Sequence, residues 1–371
     1  MHIKNISATG FRNLEIKKQQ LSREINVIYG DNAQGKTNLI EVIYFCAFGR
    51  SLRAKSDSEL VAWGSTEAFI RLETERLGVS STIDASLGAS PLVTSADGSG
   101  NIVTKSRQKF IKSISIDCLT VKHIKDLFGN LLIVVFSPED LRLVKSGPLE
   151  RRRFMDMEIC QLFPVYYSDL REYHRALKQR NALLKMLQKD RKEIESLSIW
   201  DEQLIKYGAK ITKTRAAFMK KISGIAAEIH KNIAKDETLV LEYKPSIIPE
   251  DLSRTWERDI FRGTTGEGVH RDDIDITLNG MSVRGFGSQG QQRTAALSAK
   301  LAEIELIKQS KNETPILLLD DVFSELDKKR QGFLLEYIKG QQTIITCTGI
   351  EELGFKNHNL LKMEGGQLNV K

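Results

Sequence analysis

The sequence contains 371 residues, with 55 Lys and Arg against 48 Asp and Glu and a formal net charge of +7. This length favours two lobes or domains over one core, and the mild basicity permits a nucleic-acid partner without requiring one. The absence of a ~20-residue apolar stretch, of a signal-peptide pattern and of metal-ligand spacing among four cysteines excludes a membrane-spanning or disulfide-rich protein and favours a cytoplasmic one.

Three short strands are predicted first, at Ile3 to Thr9, Leu14 to Gln20 and Ile25 to Tyr29, and Arg12 lies in the turn between the first two. The third strand leads into Gly30-Asp31-Asn32-Ala33-Gln34-Gly35-Lys36-Thr37, in which two glycines separated by four residues precede Lys and Thr. A helix is predicted from Asn38 to Phe48. Strand, loop and helix in this order indicate a phosphate-binding loop.

The residue types of this loop suit a nucleoside triphosphate with Mg²⁺. Gly30 and Gly35 let the backbone curl so that its N–H groups face phosphate oxygens at the start of a helix. Lys36 is expected to reach the β- and γ-phosphates, and the Thr37 hydroxyl to hold Mg²⁺. A glycine-rich turn without a ligand is the alternative, which the flanking strand and helix disfavour.

A loop from Gly49 to Val61 follows, in which Arg50, Arg53 and Lys55 are candidates for contacts with DNA phosphates, although a solvated loop would also carry such residues. Ala68 to Glu75 and Ser80 to Ala85 alternate apolar and polar residues, which predicts a half-buried antiparallel sheet. Gly88 to Asn101 is rich in small polar residues and is predicted to be an exposed connection. Leu131 to Phe136 is a continuous apolar run, which predicts a buried strand.

From Leu149 to about Ala234 the pattern is nearly all helical. Two helices with apolar residues in steps of three and four, joined by a charged link from Lys189 to Glu195, are predicted to pack as an antiparallel pair. They could form a partner-binding arm or an ordinary helical lobe. Arg151 is a further candidate for DNA contact, or part of a solvated face.

The remaining chain returns to mixed structure. Strands are predicted at Thr238 to Tyr243, Ile274 to Leu278, Pro315 to Leu319 and Thr343 to Thr346, helices at Gln289 to Ile307 and Lys328 to Ile338, and a closing hairpin at Leu360 to Val370.

The strand before residue 320 ends in two carboxylates, at the edge of an α/β sheet where ligands bind. Asp320 is expected to hold Mg²⁺, and Asp321 to orient or deprotonate the attacking water, which makes Asp321 and Lys36 the predicted catalytic residues. Lys36 and Asp320 lie roughly 280 residues apart, so the ATPase core must be assembled from both ends of the chain. The predicted division is 1–148, an inserted helical lobe 149–236, and 237–371.

A second anion-binding turn precedes the helix at Gln289. Ser288, Gly290 and Gln291 are its predicted nucleotide-binding residues, through the serine hydroxyl and the first helical amides. One triphosphate needs only one phosphate loop, so Ser288 is expected to reach the γ-phosphate held by another subunit, which places it at a dimer interface.

Together these motifs resemble the ABC-type ATPase heads of SMC proteins and Rad50, a mixed α/β sheet around a phosphate loop with an inserted helical lobe. The sequence is more similar to the RecF family of bacterial recombination mediators, and the similarity covers essentially the whole chain. The motifs that carry it are Gly10 to Leu14, Gly30 to Thr37, Phe136 to Leu141, Glu150 to Phe154, His270 to Asp273, Gly287 to Gln291 and Leu319 to Asp327.

The resemblance implies an ATP-dependent dimer that binds DNA at junctions of single and double strands in gaps. It also implies work with RecR and RecO to load RecA, in recombinational repair, replication restart and the SOS response. By the same resemblance, Arg12 would contact the nucleotide and Asp327 would lie at the dimer interface.

Two departures from the wider ABC pattern predict slow ATP turnover in a switch role. No glutamine follows Leu131 to Phe136, where Ser137 or Glu139 would have to substitute as a Mg²⁺ ligand, and Cys347 and Thr348 stand where those heads carry a histidine. The alternatives are an ATPase subunit that energises a membrane transporter, which needs both missing residues, and a nuclease-associated tether, which needs a long coiled arm. The role of His270 to Asp273 does not follow from the sequence.

Overall fold

The computed structural model describes residues 1–89, 95–96, 102–103, 110–246, 251–349 and 358–370. The strands are β1 (His2–Phe11), β2 (Leu14–Gln20), β3 (Ile25–Tyr29), β4 (Glu67–Arg76), β5 (Val79–Ala89), β6 (Ser95–Ala96), β7 (Ile102–Val103), β8 (Phe110–Ile116), β9 (Leu119–Thr120), β10 (Ile133–Phe136), β11 (Leu239–Lys244), β12 (Asp273–Leu278), β13 (Met281–Ser282), β14 (Ile316–Asp320), β15 (Thr343–Cys347), β16 (Asn359–Glu364) and β17 (Gln367–Val370). The helices are α1 (Lys36–Phe48), α2 (Arg142–Lys145), α3 (Pro148–Leu162), α4 (Pro164–Leu187), α5 (Leu197–Ile233), α6 (Trp256–Arg262), α7 (Val283–Phe286), α8 (Gln289–Lys311) and α9 (Lys328–Tyr337).

These elements form two units, one of residues 1–138 with 313–371 and the other of residues 139–312. The predicted boundaries at 148 and 236 differ from this division. The chain leaves the first unit ten residues earlier than predicted, directly after Pro138, and returns to it only at Glu313. Helix α8 belongs to the second unit because it packs along α5 there, a tertiary contact that local sequence patterns do not specify.

The first unit contains a six-stranded sheet in the order β10-β14-β15-β3-β16-β17, and only the β16–β17 pair is antiparallel. Strands β14 and β15 are buried along their whole length, as their continuous apolar runs predict for a parallel sheet covered on both faces. In register, Asp320 lies beside Thr346 and Cys347 beside Tyr29. The carboxyl ends of β3, β14 and β15 therefore meet at one edge.

A second, antiparallel sheet of the first unit has the order β2-β1-β4-β5-β8-β9. Alternate residues of β4 are buried, so the predicted half-buried pair of strands is confirmed. The predicted exposed connection from Gly88 to Asn101 lies largely outside the described residues, although β6 pairs with β7.

In the second unit, α4 and α5 form the predicted antiparallel pair. Arg180 near the end of α4 donates to Asp201 near the start of α5 at 2.6 Å, and Asp169 near the start of α4 lies 3.5 Å from Lys210 further along α5. A three-stranded sheet, β11-β12-β13, completes the unit. Among the described residues, no helix is both long and apolar enough to span a membrane.

Candidate nucleotide-binding site

The loop from Gly30 to Thr37 joins β3 to α1 with a backbone that only glycine permits at its first position. Gly30 has a φ of +155°, and a Cβ there would stand 2.3 Å from the carbonyl oxygen of Met363. Asp31, Asn32 and Ala33 are exposed at its crest, with Ala33 in the left-handed region at φ +64°. The loop is thus held open to solvent over the start of a helix, as a phosphate cradle requires.

Lys36 is directed back over this loop. Its Nζ donates to the carbonyl oxygens of Gly30 and Asp31, each at 2.7 Å, and its side chain is buried. An ammonium carries three N–H groups, so one donor is left for an anion in the cradle. The phosphate contact predicted for Lys36 would use this remaining donor.

The turn of the closing hairpin fixes the other side of the loop. The Gln34 side-chain oxygen accepts from the Gly365 N–H at 2.7 Å, and the Gln34 carbonyl accepts from the Gly366 N–H at 3.0 Å. Asn13, beside Arg12, donates through Nδ2 to the Ala33 carbonyl at 3.4 Å. Segments from the beginning and the end of the chain therefore both support the loop.

Thr37, Asp320 and Thr346 share one hydrogen-bonded cluster. Asp320 Oδ1 accepts from Thr37 Oγ1 at 3.0 Å and from Thr346 Oγ1 at 2.7 Å, and Asp320 is only 7% exposed. Hydroxyl and carboxylate oxygens are the ligands that Mg²⁺ prefers, usually one or two from protein with the rest from phosphate and water. No group of three or more His, Cys, Asp or Glu able to hold a metal occurs among the described residues. The donor set therefore fits Mg²⁺ bound together with a nucleotide.

Asp321 occupies a strained position beside this cluster. Its φ is +52°, and its N–H donates to the Thr346 carbonyl at 3.2 Å and to Thr346 Oγ1 at 3.1 Å. Burial raises the pKa of the Asp321 carboxyl, the neighbouring Asp320 raises it further, and Lys36 opposes both. A raised pKa brings a carboxylate closer to the range in which it can act as a general base.

Two predicted cations of the first unit are paired with a buried acid. Glu41 Oε2 accepts from Arg12 Nε at 3.1 Å and from Arg53 Nη2 at 3.3 Å, while Ser51 Oγ donates to Glu41 Oε1. Burial raises the pKa of Glu41, but the hydrogen bonds from Ser51 and Arg12 and the two positive charges outweigh it, so the pKa is lowered overall. Arg50 and Lys55 are exposed.

Arg151 is buried and paired within the second unit, which disfavours its predicted contact with DNA. Its side chain is 4% exposed and donates to both carboxylate oxygens of Asp273, at 2.5 and 3.0 Å, and to the Ser146 carbonyl at 2.7 Å. A solvated position is the alternative that the sequence offers for Arg151, whereas the start of β12 supplies a partner 122 residues away.

The segment His270 to Asp273 is part of the same buried network. Asp272 accepts from Arg215 Nη1 and from the Ser246 N–H, each at 2.7 Å, and from the Tyr243 hydroxyl. His270 Nδ1 lies 2.8 Å from the Tyr173 hydroxyl. The segment joins helices to a strand through ion pairs, which answers the question that the sequence left open.

The turn at Ser288 belongs to the second unit. Ser288 caps α8, with Oγ accepting from the Gln291 N–H at 3.2 Å while Gln291 Oε1 accepts from the Ser288 N–H at 2.8 Å. Ser288 is exposed, and Gly290 and Gln291 follow it in the first turn. Asp327, in the first unit, caps α9 and accepts from the Arg330 N–H at 2.9 Å. Their assignment to nucleotide binding and to a dimer interface remains a prediction.

The positions that depart from the ABC pattern lie beside the cluster. Ser137 directly follows β10, the neighbour of β14, and Cys347 ends β15. Burial raises the pKa of the Cys347 thiol to about 11, with Asp321 adding to the increase and Lys36 opposing it. A thiol of raised pKa, rather than an imidazole, therefore stands at the end of β15.

Two residues of the site were missed from the sequence. Thr346 was assigned only to a strand, because its contact with Asp320 follows from the register of β14 and β15. Glu41 stands within the apolar run Leu39 to Ile43, and a lone acid in such a run indicates a buried partner.

The comparisons with known proteins agree with this geometry. The family model described as the RecF/RecN/SMC N terminal domain matches residues 2–363. The DNA replication and repair protein RecF of Lachnoclostridium phytofermentans is 43% identical over 357 residues, which cover 95% of this chain and 94% of that protein. The chain belongs to the RecF family. The RecF protein of Agathobacter rectalis is 43% identical over 100% of this chain and 99% of its own.

Solved structures of RecF have the same fold. The recombination mediator protein RecF with ATP in the RecFOR pathway matches with a TM-score of 0.88 and 32% identity, over 100% of this chain and 97% of that one. An SMC head bound to the C-winged helix domain of ScpA matches with a TM-score of 0.54 at 17% identity, which shows a shared fold alone. The predicted ABC-type ATPase head and the resemblance to RecF are both confirmed.

Proposed function

We propose that this RecF-family protein is an ATP-dependent DNA-binding protein of recombinational repair. The observation that carries the proposal is the assembly of Lys36, Thr37, Asp320 and Asp321 at one edge of a parallel sheet. The two halves of the proposed triphosphate site come from opposite ends of the chain. Relatives named for DNA replication and repair cover nearly the full length of this chain.

In the proposed site, the loop amides and Lys36 bind the phosphates, and Thr37 and Asp320 hold Mg²⁺. When bound, Mg²⁺ neutralises negative charge on the phosphates. Asp321 orients or deprotonates the attacking water. The missing glutamine and histidine make turnover slow, so hydrolysis serves as a switch. Ser288 of a second copy binds the γ-phosphate, and Asp327 lies near the neighbour's loop.

DNA is held, in this proposal, at junctions of single and double strands in gaps, in a basic groove of the ATP-bound dimer. Arg50 and Lys55 are the exposed candidates for backbone contacts, with Arg53 as a third. RecO and RecR are the proposed partners in loading RecA, during replication restart and the SOS response. Solved RecF structures described within the RecFOR pathway support this proposal, and no comparison supports the transporter alternative.

The test is binding of a gapped duplex by fluorescence anisotropy, with and without ATP and Mg²⁺, across a salt series. Binding should require ATP and should weaken steeply with salt, because contacts to phosphates release counterions. Lys36→Ala should abolish the DNA binding that ATP induces. Gapped DNA bound equally well without ATP and at high salt would contradict the proposal.

A further inference from the structure

A mostly apolar groove of about 370 Å³ lies in the second unit, away from the cap of α8 at Ser288. It runs between the junction of α3 and α4, the middle of α5 and the last turns of α8. Its floor is formed by Leu162, Phe218 and Leu306, which are buried core residues. The groove is therefore a fixed depression between packed helices.

Large apolar side chains stand exposed at one wall of this groove. Phe163 is 48% exposed and Val165 is 73% exposed, on either side of Pro164, which begins α4. Ala217 on α5 lines the groove between them and the floor. Exposed apolar surface next to a depression marks a binding site more often than a lone exposed residue does.

The rim of the groove is positively charged. Lys213 and Lys221 line it two turns apart on α5, and neither has a carboxylate within salt-bridge distance in the part of the chain that the structure describes. The one acid of the lining, Asp169, is already 3.5 Å from Lys210. The two rim lysines are thus left for an external anion.

We infer that this groove binds an acidic segment of a partner protein, and that two bulky apolar side chains of that segment enter the groove. The apolar floor takes the side chains, and Lys213 and Lys221 pair with flanking carboxylates. Charge complementarity of this kind fixes orientation and speeds association. A DNA backbone fits the same surface less well, because it would place phosphates against Phe163 and Val165 and beside Asp169. The inference does not depend on the nucleotide chemistry.

The test uses a fluorescein-labelled twelve-residue peptide of Asp, Glu and Gly with Leu at two positions four residues apart, titrated with the full-length protein. A control peptide has each acid replaced by Lys. The acidic peptide should bind and the basic peptide should not. Ala217→Trp, which fills the groove from an exposed helix position, and the double variant Lys213→Glu/Lys221→Glu should each weaken binding by about tenfold or more.

Lys178→Glu is the matched control, since Lys178 is exposed on α4 outside the groove and should leave binding unchanged. Circular dichroism melting establishes that each variant is folded. Equal binding by wild type and Ala217→Trp, or no binding by wild type, would overturn the inference. Displacement of the peptide by a labelled duplex would assign the groove to DNA, and loss of self-association in Ala217→Trp would assign it to a second copy.

Discussion

Thr37 and Asp320 lie 283 positions apart in the chain, and Thr37 Oγ1 donates a hydrogen bond to Asp320 Oδ1 at 3.0 Å. The first residue belongs to the start of α1 and the second to the end of β14. Parallel pairing of β3, β15 and β14 brings them together, because it aligns the carboxyl ends of the strands. The candidate site therefore forms only when strands from both ends of the chain pair in one sheet.

Replacing Gly366 by Ala should destabilise the phosphate loop. A Cβ at Gly366 would stand 1.7 Å from the Asn13 carbonyl oxygen, and φ is +81°. The free energy of unfolding should fall by about 3 kcal/mol or more, and ATP affinity with it. Gly78→Ala is the control, since Gly78 has the same φ of +81° with no atom within 4 Å, and should cost about 1 kcal/mol. Urea denaturation measures the free energy of unfolding, and ATP titration measures the affinity for ATP. Equal losses in the two variants would contradict the predicted steric clash at Gly366.

Asp321→Asn should leave ATP binding intact and lower the hydrolysis rate by about 10²-fold, since an amide cannot accept the proton of the attacking water. For wild type, the rate should fall as pH falls through the raised pKa of Asp321, so the acid limb should begin at a higher pH than an ordinary Asp would give. Phosphate release measured against pH checks both statements. A variant that hydrolyses ATP like wild type would remove Asp321 from the proposed mechanism.

The stability of the second unit should fall in mild acid through His270. Burial lowers the pKa of His270 from 6.5 to about 4, and the positive charge of Arg271 adds to the decrease, while the hydrogen bond from Nε2 to the Thr265 carbonyl at 3.2 Å opposes it. The Tyr173 hydroxyl lies 2.8 Å from Nδ1, where the neutral ring can accept its hydrogen bond. Between pH 6.5 and 4 the unfolded chain therefore binds a proton that the folded chain does not. The free energy of unfolding should therefore decrease as the pH falls from 6.5 to 4. The decrease should be about 2 kcal/mol after allowance for the partial solvent contact of His270.

His270→Gln should flatten this pH dependence, whereas His123→Gln, at an exposed position, should not. Denaturant unfolding at pH 7 and pH 5 gives the comparison. An NMR titration of His270 with a midpoint at or above 6.5 would contradict the account.

Arg151→Ala should act on stability and not on DNA contact. It leaves Asp273 without its bidentate partner, and we expect a loss of about 2 kcal/mol in the free energy of unfolding, since the Asp273 side chain is 35% exposed and is partly solvated once unpaired. Arg254→Ala is the control, since that side chain is 83% exposed and its pair with Asp251 spans 3.8 Å, so its removal should change stability by less than about 0.5 kcal/mol. If the folded Arg151→Ala protein bound gapped DNA much more weakly than wild type, Arg151 would regain its predicted role.

Local patterns were sufficient to predict most elements of the fold. The phosphate loop, the apolar strand ending in Asp320 and the antiparallel pair of α4 and α5 all carry periodicities or motifs within a short window. The helix at Gln289 was also predicted, but its membership in the second unit was not, because that depends on which distant helix its apolar face packs against.

Partners across long sequence separations could not be predicted. Glu41 binds Arg12 and Arg53, and Asp273 binds Arg151, through pairings that the folded chain alone defines. An arginine in a sequence looks the same whether it is solvated or buried against an acid. Thr346 was missed for the same reason, since its contact with Asp320 follows from sheet register.

The central claim is a triphosphate site shared between two copies, and solution mass tests it most directly. Light scattering after gel filtration should give a dimer with ATP and Mg²⁺, a monomer with ADP, and a monomer for Ser288→Arg with ATP although that variant still binds ATP. Ser253→Arg, an exposed serine of the same unit, should dimerise like wild type. A monomer under all conditions, or a dimer that is indifferent to nucleotide, would contradict the shared site.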